Sequence, residues 1–140
     1  MTKKEHNFAT ILFLNDQNEI LLQKKSLARR YQPGKWCMFG GGIEENETPE
    51  IAIQREIKEE LGIKLTEFKL FKVFNYKDWY TGKIHVFTAF FENKISDISL
   101  GEGVGFAFFA PHEIDKLNII NHDKKIIEKF IDANNEKLNK

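Results

Sequence analysis

The stretch from Gly40 to Ile63 constrains this chain most, because in it a run of glycines is followed by a short helix with well-marked ends. Thr48 and Pro49 form a typical helix start: the hydroxyl caps the first turn, and the proline ring presets φ where no N–H is needed. Gly62 is a typical helix end, since glycine adopts the left-handed conformation without strain. The sequence therefore predicts a helix over residues 49–61, preceded by a glycine-rich loop.

Three glutamates lie on one side of this predicted helix. Glu56, Glu59 and Glu60 are spaced at i, i+3 and i+4, and aliphatic residues recur on a neighbouring side that can pack against a sheet. Like charges at this spacing destabilise a helix by roughly 0.2–0.5 kcal/mol per pair. A solvated charged face is the usual interpretation of such a pattern. The alternative is that the three carboxylates converge on a hard, oxygen-preferring divalent cation such as Mg²⁺.

The residues on either side of the glutamates favour the metal site. They read Gly41, five residues, Glu47, seven residues, and then Arg55-Glu56-Ile57-Lys58-Glu59-Glu60-Leu61-Gly62-Ile63. This pattern resembles the Nudix box, G-x5-E-x7-R-E-U-x-E-E-x-G-U with U an aliphatic residue, and it matches at every defined position. The resemblance implies a single Nudix domain over residues 1–140, with the box at 41–63. The fold it implies is α+β, an α/β/α sandwich with a mixed β-sheet.

Apolar patterns elsewhere in the chain predict further strands and helices. The predicted strands cover residues 8–15, 19–25, 36–39, 65–76, 83–94 and 104–110, and a short polar turn closes the first two into a hairpin. A brief helix is expected over 111–117 and an amphipathic helix over 123–133. This order is compatible with one mixed sheet covered by helices, although it does not by itself select the fold.

Composition and charge narrow the possible partners and compartments. The formal net charge is zero, from 21 basic and 21 acidic residues, so no nucleic-acid partner is expected. The single cysteine, Cys37, cannot form an internal disulfide and fits a reducing cytoplasm. No signal-peptide pattern follows the N-terminus, and no apolar run approaches the roughly 20 residues of a membrane span. We therefore expect a cytoplasmic protein, a monomer or homodimer, with no membrane partner.

The resemblance to the Nudix family also implies a reaction. Nudix enzymes hydrolyse a nucleoside diphosphate linked to another group by cleaving a phosphoanhydride bond with Mg²⁺, for which Mn²⁺ substitutes. The metal neutralises phosphate oxygens and lowers the pKa of the attacking water, and a carboxylate accepts the proton of that water. The implied partner of this chain is therefore a small-molecule nucleotide.

The residues of the box take their expected roles from the match. Glu56 and Glu60 are the implied principal metal ligands, and Glu59 is a further ligand or the general base, with Glu56 as the base left open. Gly40, directly before the box, aligns with a position whose carbonyl often binds metal. Arg55 completes the expected catalytic set, and we expect it to support the site by pairing with Glu47 rather than to react.

Other candidate residues lie in or near the box and farther along the chain. Glu102 resembles a further carboxylate of MutT-like members, which implies a role as metal ligand or base, and a solvated loop residue is the alternative. Lys25 matches the place where many relatives have an arginine that contacts the pyrophosphate. Gly41 lets the backbone approach the metal or the phosphates closely. Phe39 replaces a proline that many relatives have, and it either stacks on a nucleobase or packs in the core.

Substrate choice is expected to depend on residues outside the box. Tyr80 stands where a tyrosine is associated with hydrolases of diadenosine polyphosphates. The carboxylate of Glu102 and the small size of the domain instead favour nucleoside triphosphates or their oxidised forms, through similarity to MutT. Nucleotide sugars are a further option. The alternative from another class is a Nudix domain that binds nucleotides without hydrolysing them.

Overall fold

The computed structural model describes residues 5–28, 32–77, 81–101 and 104–135. The strands in these ranges are β1 (Phe8–Leu14), β2 (Ile20–Lys24), β3 (Trp36–Cys37), β4 (Phe39–Gly42), β5 (Lys69–Lys77), β6 (Thr81–Phe90) and β7 (Gly105–Phe109). The α-helices are α1 (Pro49–Leu61) and α2 (Asn121–Ala133), and short 3-10 helices cover Ile95–Asp97 and Pro111–Lys116. No helix among the described residues is both long and apolar enough to span a membrane.

The first two strands form the predicted hairpin, and one asparagine shapes its turn. Asn15 Oδ1 accepts the N–H groups of Gln17 and Glu19 at 3.0 and 2.9 Å. Asn18 has a φ of 60°, a left-handed conformation that asparagine tolerates better than most residues. The chain therefore reverses within a few polar residues, and β1 and β2 run antiparallel.

β1 is the central strand of the sheet. It pairs in parallel with β6 along its whole length, and on its other side it pairs antiparallel with β4 and, at its end, with β2. β2 in turn pairs with β3 and β7, and β5 pairs with β6. The sheet is mixed, as expected, because the β1–β6 pair is parallel and the other pairs are antiparallel. This topology places β4 directly beside the start of β1.

The two α-helices cover opposite faces of the sheet. One cluster of buried residues packs α1 against the sheet, and a second cluster packs α2 against it. Successive residues of β1 contribute to opposite clusters because strand side chains alternate: Ile11 and Phe13 belong to the first cluster, and Leu12 belongs to the second. The helix residues involved are Ile53, Ile57 and Leu61 of α1 and Ile126, Ile127 and Phe130 of α2. These layers confirm the α/β/α sandwich.

Three predicted segments differ from the structure, and one of them is the strand predicted over 83–94, because β6 ends at Phe90. The glycines after Phe39 belong to β4 rather than to a loop, because they pair antiparallel with the first half of β1. The strand predicted over 65–76 begins only at Lys69. The preceding residues connect α1 to β5, since Gln54 Nε2 of α1 donates to the Leu65 carbonyl at 3.0 Å. The error at the glycines concerns a contact between segments that are distant in sequence, whereas Gln54 and Leu65 are 11 residues apart.

Candidate active site

α1 begins and ends where the sequence predicts, and this fixes the side on which its glutamates lie. Thr48 Oγ1 accepts the N–H of Ile51 at 3.2 Å. Gly62 adopts a φ of 71° and donates its N–H to the Lys58 carbonyl at 3.0 Å. Because the aliphatic side of the helix is buried in the core, the acidic side lies toward β4 and the solvent.

Glu60 is deeply buried, with 5% of its surface exposed. Its two oxygens have separate donors: the Gly40 N–H donates to Oε1 at 2.9 Å, and Gln23 Nε2 donates to Oε2 at 2.6 Å. A buried carboxylate is costly unless hydrogen bonds compensate for the lost water. The Glu60 carboxylate is therefore held against the start of β4 by donors from two strands.

Glu56 lies over the next residue of β4. A Cβ added to Gly41 would come within 2.5 Å of the Glu56 Cδ and Oε1, so a side chain at this position would force the Glu56 carboxylate to shift. The effect is steric, because Gly41 is not among the described residues with positive φ. Two carboxylates, those of Glu56 and Glu60, thus lie over consecutive residues of one strand.

Arg55 links the segment before α1 to the acidic side of the helix. Its Nε and Nη2 contact the two oxygens of Glu47 at 2.8 and 2.9 Å, and Nη2 also donates to the Gly42 carbonyl at 3.0 Å. Nη1 donates to Glu56 Oε1 at 2.9 Å and lies 3.4 Å from Glu59 Oε2. Bonding to Glu47, and then to Glu56, raises the pKa of Arg55, and the bond from Arg55 lowers the pKa of Glu47. The predicted pairing of Arg55 with Glu47 is confirmed, whereas a role in a reaction stays a prediction.

The three glutamates differ in how deeply they are buried. The Glu59 side chain is 59% exposed, while Glu60 is buried against Gly40 and Gln23. Among the described residues, no three His, Cys, Asp or Glu side chains approach closely enough to hold a metal ion together. Joint metal binding by Glu56, Glu59 and Glu60 stays a prediction, and in this structure their carboxylates are bonded to protein donors. The structure brings the Glu56 and Glu60 carboxylates of α1 together over Gly41 and Gly40 of β4.

The remaining candidates outside α1 have different outcomes. Phe39 has 0% exposure and packs in the core beneath α1, so base stacking by its ring is wrong and the core-packing alternative holds. Lys25 directly follows β2, and its backbone N–H donates to the Lys35 carbonyl at 2.9 Å. Contact of its side chain with a substrate stays a prediction. Glu102 and Tyr80 lie outside the described residues.

Sequence reasoning missed two buried polar residues near β4, Gln23 and Asp123. Gln23 is 7% exposed and contacts Glu60 from β2. Asp123 is 4% exposed; its Oδ2 accepts the Met38 N–H at 2.8 Å, and its Oδ1 lies 3.2 Å from His122 Nε2. Burial raises the pKa of Asp123, and His122 and the Met38 hydrogen bond act in the opposite direction. Strand alternation is a signal for Gln23, because it falls on the same face of β2 as Leu21, which belongs to the core cluster under α1.

Comparison with known proteins identifies the family of this fold and site. A sequence model of the NUDIX domain matches residues 4–130 of the chain. The chain belongs to the Nudix family. The solved structure of the MutT protein from Methanosarcina mazei Go1 covers 96% of this Nudix chain and 98% of its own, with a TM-score of 0.81 at 21% identity. That likeness shows that the two proteins share the Nudix fold.

Curated relatives of this Nudix chain match over shorter stretches. The 8-oxo-dGTP diphosphatase of Proteus vulgaris is 36% identical over 70 residues, which are 50% of this chain and 62% of that protein. The nucleoside triphosphatase NudI of Enterobacter sp. (strain 638) is 44% identical over 52 residues, 37% of each chain. The matched stretches span less than two thirds of either relative. Activity and substrate of this chain are therefore proposed below.

Proposed function

We propose that this chain is a Mg²⁺-dependent hydrolase that cleaves the phosphoanhydride bond of a nucleoside diphosphate linked to another group. Nucleoside triphosphates are its proposed substrates, as in enzymes of the MutT type. The observation that carries the proposal is the placement of the Glu56 and Glu60 carboxylates over Gly41 and Gly40, within a complete Nudix box. The names of the two curated relatives, an 8-oxo-dGTP diphosphatase and a nucleoside triphosphatase, support this substrate class.

The two carboxylates of α1 that lie over β4 fit a magnesium ion. Mg²⁺ in proteins is commonly bound by one or two carboxylates together with water and substrate phosphates, rather than by a closed protein cage. The pair Glu56 and Glu60 meets this requirement without a third carboxylate from the described residues, and Mn²⁺ is expected to substitute. When bound, the metal neutralises phosphate charge and lowers the pKa of the attacking water.

Glu59 is the proposed acceptor of the proton from the attacking water. Its side chain is 59% exposed and lies one helical turn from Arg55, at 3.4 Å from Nη1. Glu56 is the alternative base, but its side chain is only 15% exposed and is bonded to Arg55 at 2.9 Å. A general base must come within hydrogen-bond reach of the water that it deprotonates, and an exposed carboxylate is open to such a water. Arg55 is anchored by its bonds to Glu47 and Gly42. It therefore keeps the Glu56 and Glu59 carboxylates in place.

A nucleotide panel tests the proposed reaction. Purified protein is incubated with Mg²⁺ and nucleoside triphosphates including 8-oxo-dGTP, with diadenosine polyphosphates and with nucleotide sugars, and the products are separated by chromatography. We expect a nucleoside triphosphate to yield a monophosphate and pyrophosphate, and chelation by EDTA to stop the reaction. If the protein preferred diadenosine polyphosphates or nucleotide sugars, the proposed hydrolase activity would stand and the proposed substrate class would be overturned.

Substitutions of single glutamates connect that activity to the site. Glu56→Gln and Glu60→Gln should each lower kcat/KM by at least about 100-fold with the fold retained, because each removes a negative ligand at constant shape. Glu44→Gln is the matched control: its side chain is 67% exposed and lies 3.8 Å from Arg55, so a change within about twofold is expected. Full activity in the Glu56→Gln, Glu60→Gln double variant would contradict the proposal.

The same protein preparation distinguishes a hydrolase from a domain that binds nucleotides without hydrolysing them. Such a protein would be stabilised against heat by a nucleotide but would form no product with Mg²⁺ or Mn²⁺. Since every defined glutamate of the box is present, we expect product formation to accompany stabilisation.

A further inference from the structure

We infer that Gln23 is a positioning residue for the proposed metal site, and that its amide fixes the Glu60 carboxylate in the orientation in which it binds the metal. The inference rests on the proposed function, because it assigns a role within the same site. Gln23 belongs to β2, and 37 residues separate it from Glu60 in the sequence. It lies outside the Nudix box.

The contacts of the Gln23 amide carry this inference. Nε2 lies 2.6 Å from Glu60 Oε2 and 3.4 Å from the Met38 carbonyl oxygen. A hydrogen bond to an ionised acceptor is stronger than one between neutral groups. Because Gln23 is only 7% exposed, water does not readily replace these bonds. One amide therefore joins α1 to the residue just before β4.

A second donor completes the orientation of the carboxylate. The Gly40 N–H donates to the other oxygen, Oε1, at 2.9 Å. Donors on both oxygens restrict rotation about the last side-chain bond of Glu60, in the way that hydrogen-bonding neighbours orient metal ligands in proteins generally. The plane of the carboxylate is thus set by β2 and β4 together.

The neutrality of the amide matters as much as its position. Glu47 is paired with the guanidinium of Arg55, which neutralises its charge. Gln23 donates to Glu60 without adding a positive charge, so the carboxylate keeps the negative charge that a divalent cation needs. A lysine or arginine in this place would satisfy the buried carboxylate equally well but would compete with the metal. This difference separates a positioning role from a purely structural one.

Binding of Mn²⁺ without substrate tests the role of Gln23 independently of turnover. Free Mn²⁺ is measured by electron paramagnetic resonance during titration of wild type, Gln23→Met and Gln54→Met. Gln23→Met keeps chain length and volume but removes the donor, so we expect the Kd for Mn²⁺ to rise about 10–100-fold. Gln54→Met is the matched control, because Gln54 donates to the Leu65 carbonyl on another side of α1. Its Kd should stay within about twofold of wild type.

Gln23→Lys separates support of the fold from support of the metal. The lysine ammonium can still pair with Glu60, so the thermal unfolding temperature should be kept, while the added charge should weaken Mn²⁺ binding at least as much as Gln23→Met does. This variant also keeps the test decisive if Gln23→Met does not fold. Binding of Mn²⁺ by folded Gln23→Met or Gln23→Lys within about twofold of wild type would overturn the inference.

Failure of this inference is distinguishable from failure of the proposed function. If the wild-type protein binds no Mn²⁺ and hydrolyses no nucleotide, both are overturned. If wild type does both and Gln23→Met behaves identically, only the role of Gln23 is wrong.

Discussion

Two buried carboxylates reach the same short segment of backbone from opposite faces of the sheet. Glu60 of α1 accepts the N–H of Gly40, and Asp123 of α2 accepts the N–H of Met38, two residues earlier. Their exposures are 5% and 4%, so burial does not distinguish them. Both fix the chain where it enters β4, and only one of them is proposed to bind a metal.

The difference lies in what surrounds each carboxylate. The second oxygen of Glu60 accepts a hydrogen bond from the neutral Gln23 amide. The second oxygen of Asp123 lies beside His122, whose ring packs against Tyr76 with ring centroids 5.2 Å apart. Burial raises the pKa of Asp123, which favours its neutral form. The comparison teaches that burial alone does not make an acid suited to metal binding: Glu60 lies beside a second carboxylate, that of Glu56, whereas Asp123 lies beside a histidine.

The largest expected effect is a difference in activity between substitutions of the two carboxylates. Glu60→Gln should lower kcat/KM by at least about 100-fold, whereas Asp123→Asn should change it by no more than about threefold, because an amide oxygen still accepts the Met38 N–H. Kinetics on the preferred nucleotide, with circular dichroism to verify folding, make the comparison. An equal loss in both variants would show that placement of the β4 backbone, and not the charge of Glu60, sets the rate.

A smaller effect on activity is expected when the space above β4 is filled by a methyl group. Gly41→Ala puts a methyl group within 2.5 Å of the Glu56 carboxylate, which must then move. Displacement of a reacting group by about 1 Å costs on the order of 100-fold in rate, so we expect kcat/KM to fall about 10–100-fold. Gly42→Ala is the control, since no atom lies within 4 Å of the added methyl group. Equal activity of the two alanine variants would remove the steric reason for the glycine.

The starts of the two helices differ in capping, and removal of a cap is expected to change the stability of the protein but not its activity. Thr48 caps α1 through its hydroxyl, whereas Ile120, the residue before α2, provides no side-chain cap. Thr48→Ala should lower the free energy of unfolding by about 1 kcal/mol in urea denaturation, with kcat/KM unchanged. Thr48→Ser keeps a capping hydroxyl and should lose less. Unchanged stability of the alanine variant would mean that packing alone holds the start of α1.

The smallest expected effect is a change in the pH dependence of stability at Asp123. Because its pKa is higher in the folded than in the unfolded protein, this group stabilises the fold below its unfolded pKa, and that contribution is lost as pH rises through the folded pKa. Asp123→Asn removes the titration. The free energy of unfolding of the variant relative to wild type should therefore increase as pH rises from about 4. A constant difference between the two proteins across this range would contradict the raised pKa.

Local chemistry made α1 and the box predictable from the sequence. The cap at Thr48 and the left-handed Gly62 mark the helix ends through contacts within one turn. The pairing of Arg55 with Glu47 followed from the resemblance, and the structure has it at 2.8 Å. Features that depend on neighbours in sequence were therefore recovered.

Long-range contacts explain what the sequence did not disclose. The glycines of β4 looked like a loop because their partners lie in β1, about thirty residues earlier. Gln23 and Asp123 have partners 37 and 85 residues away, so each resembles an ordinary surface residue when only its neighbours are considered. The sequence indicates that position 39 is aromatic but not that it is buried. The burial of Phe39 depends on α1, which covers that face of the sheet.

The most direct test is a crystal of the protein with Mn²⁺ and a non-hydrolysable nucleoside triphosphate analogue, recorded at the manganese absorption edge. We expect an anomalous peak between Glu56 and Glu60, about 2.1 Å from their nearest carboxylate oxygens and in contact with the phosphates. Nucleotide and metal bound elsewhere, with no ion between these two glutamates, would contradict the proposed active site.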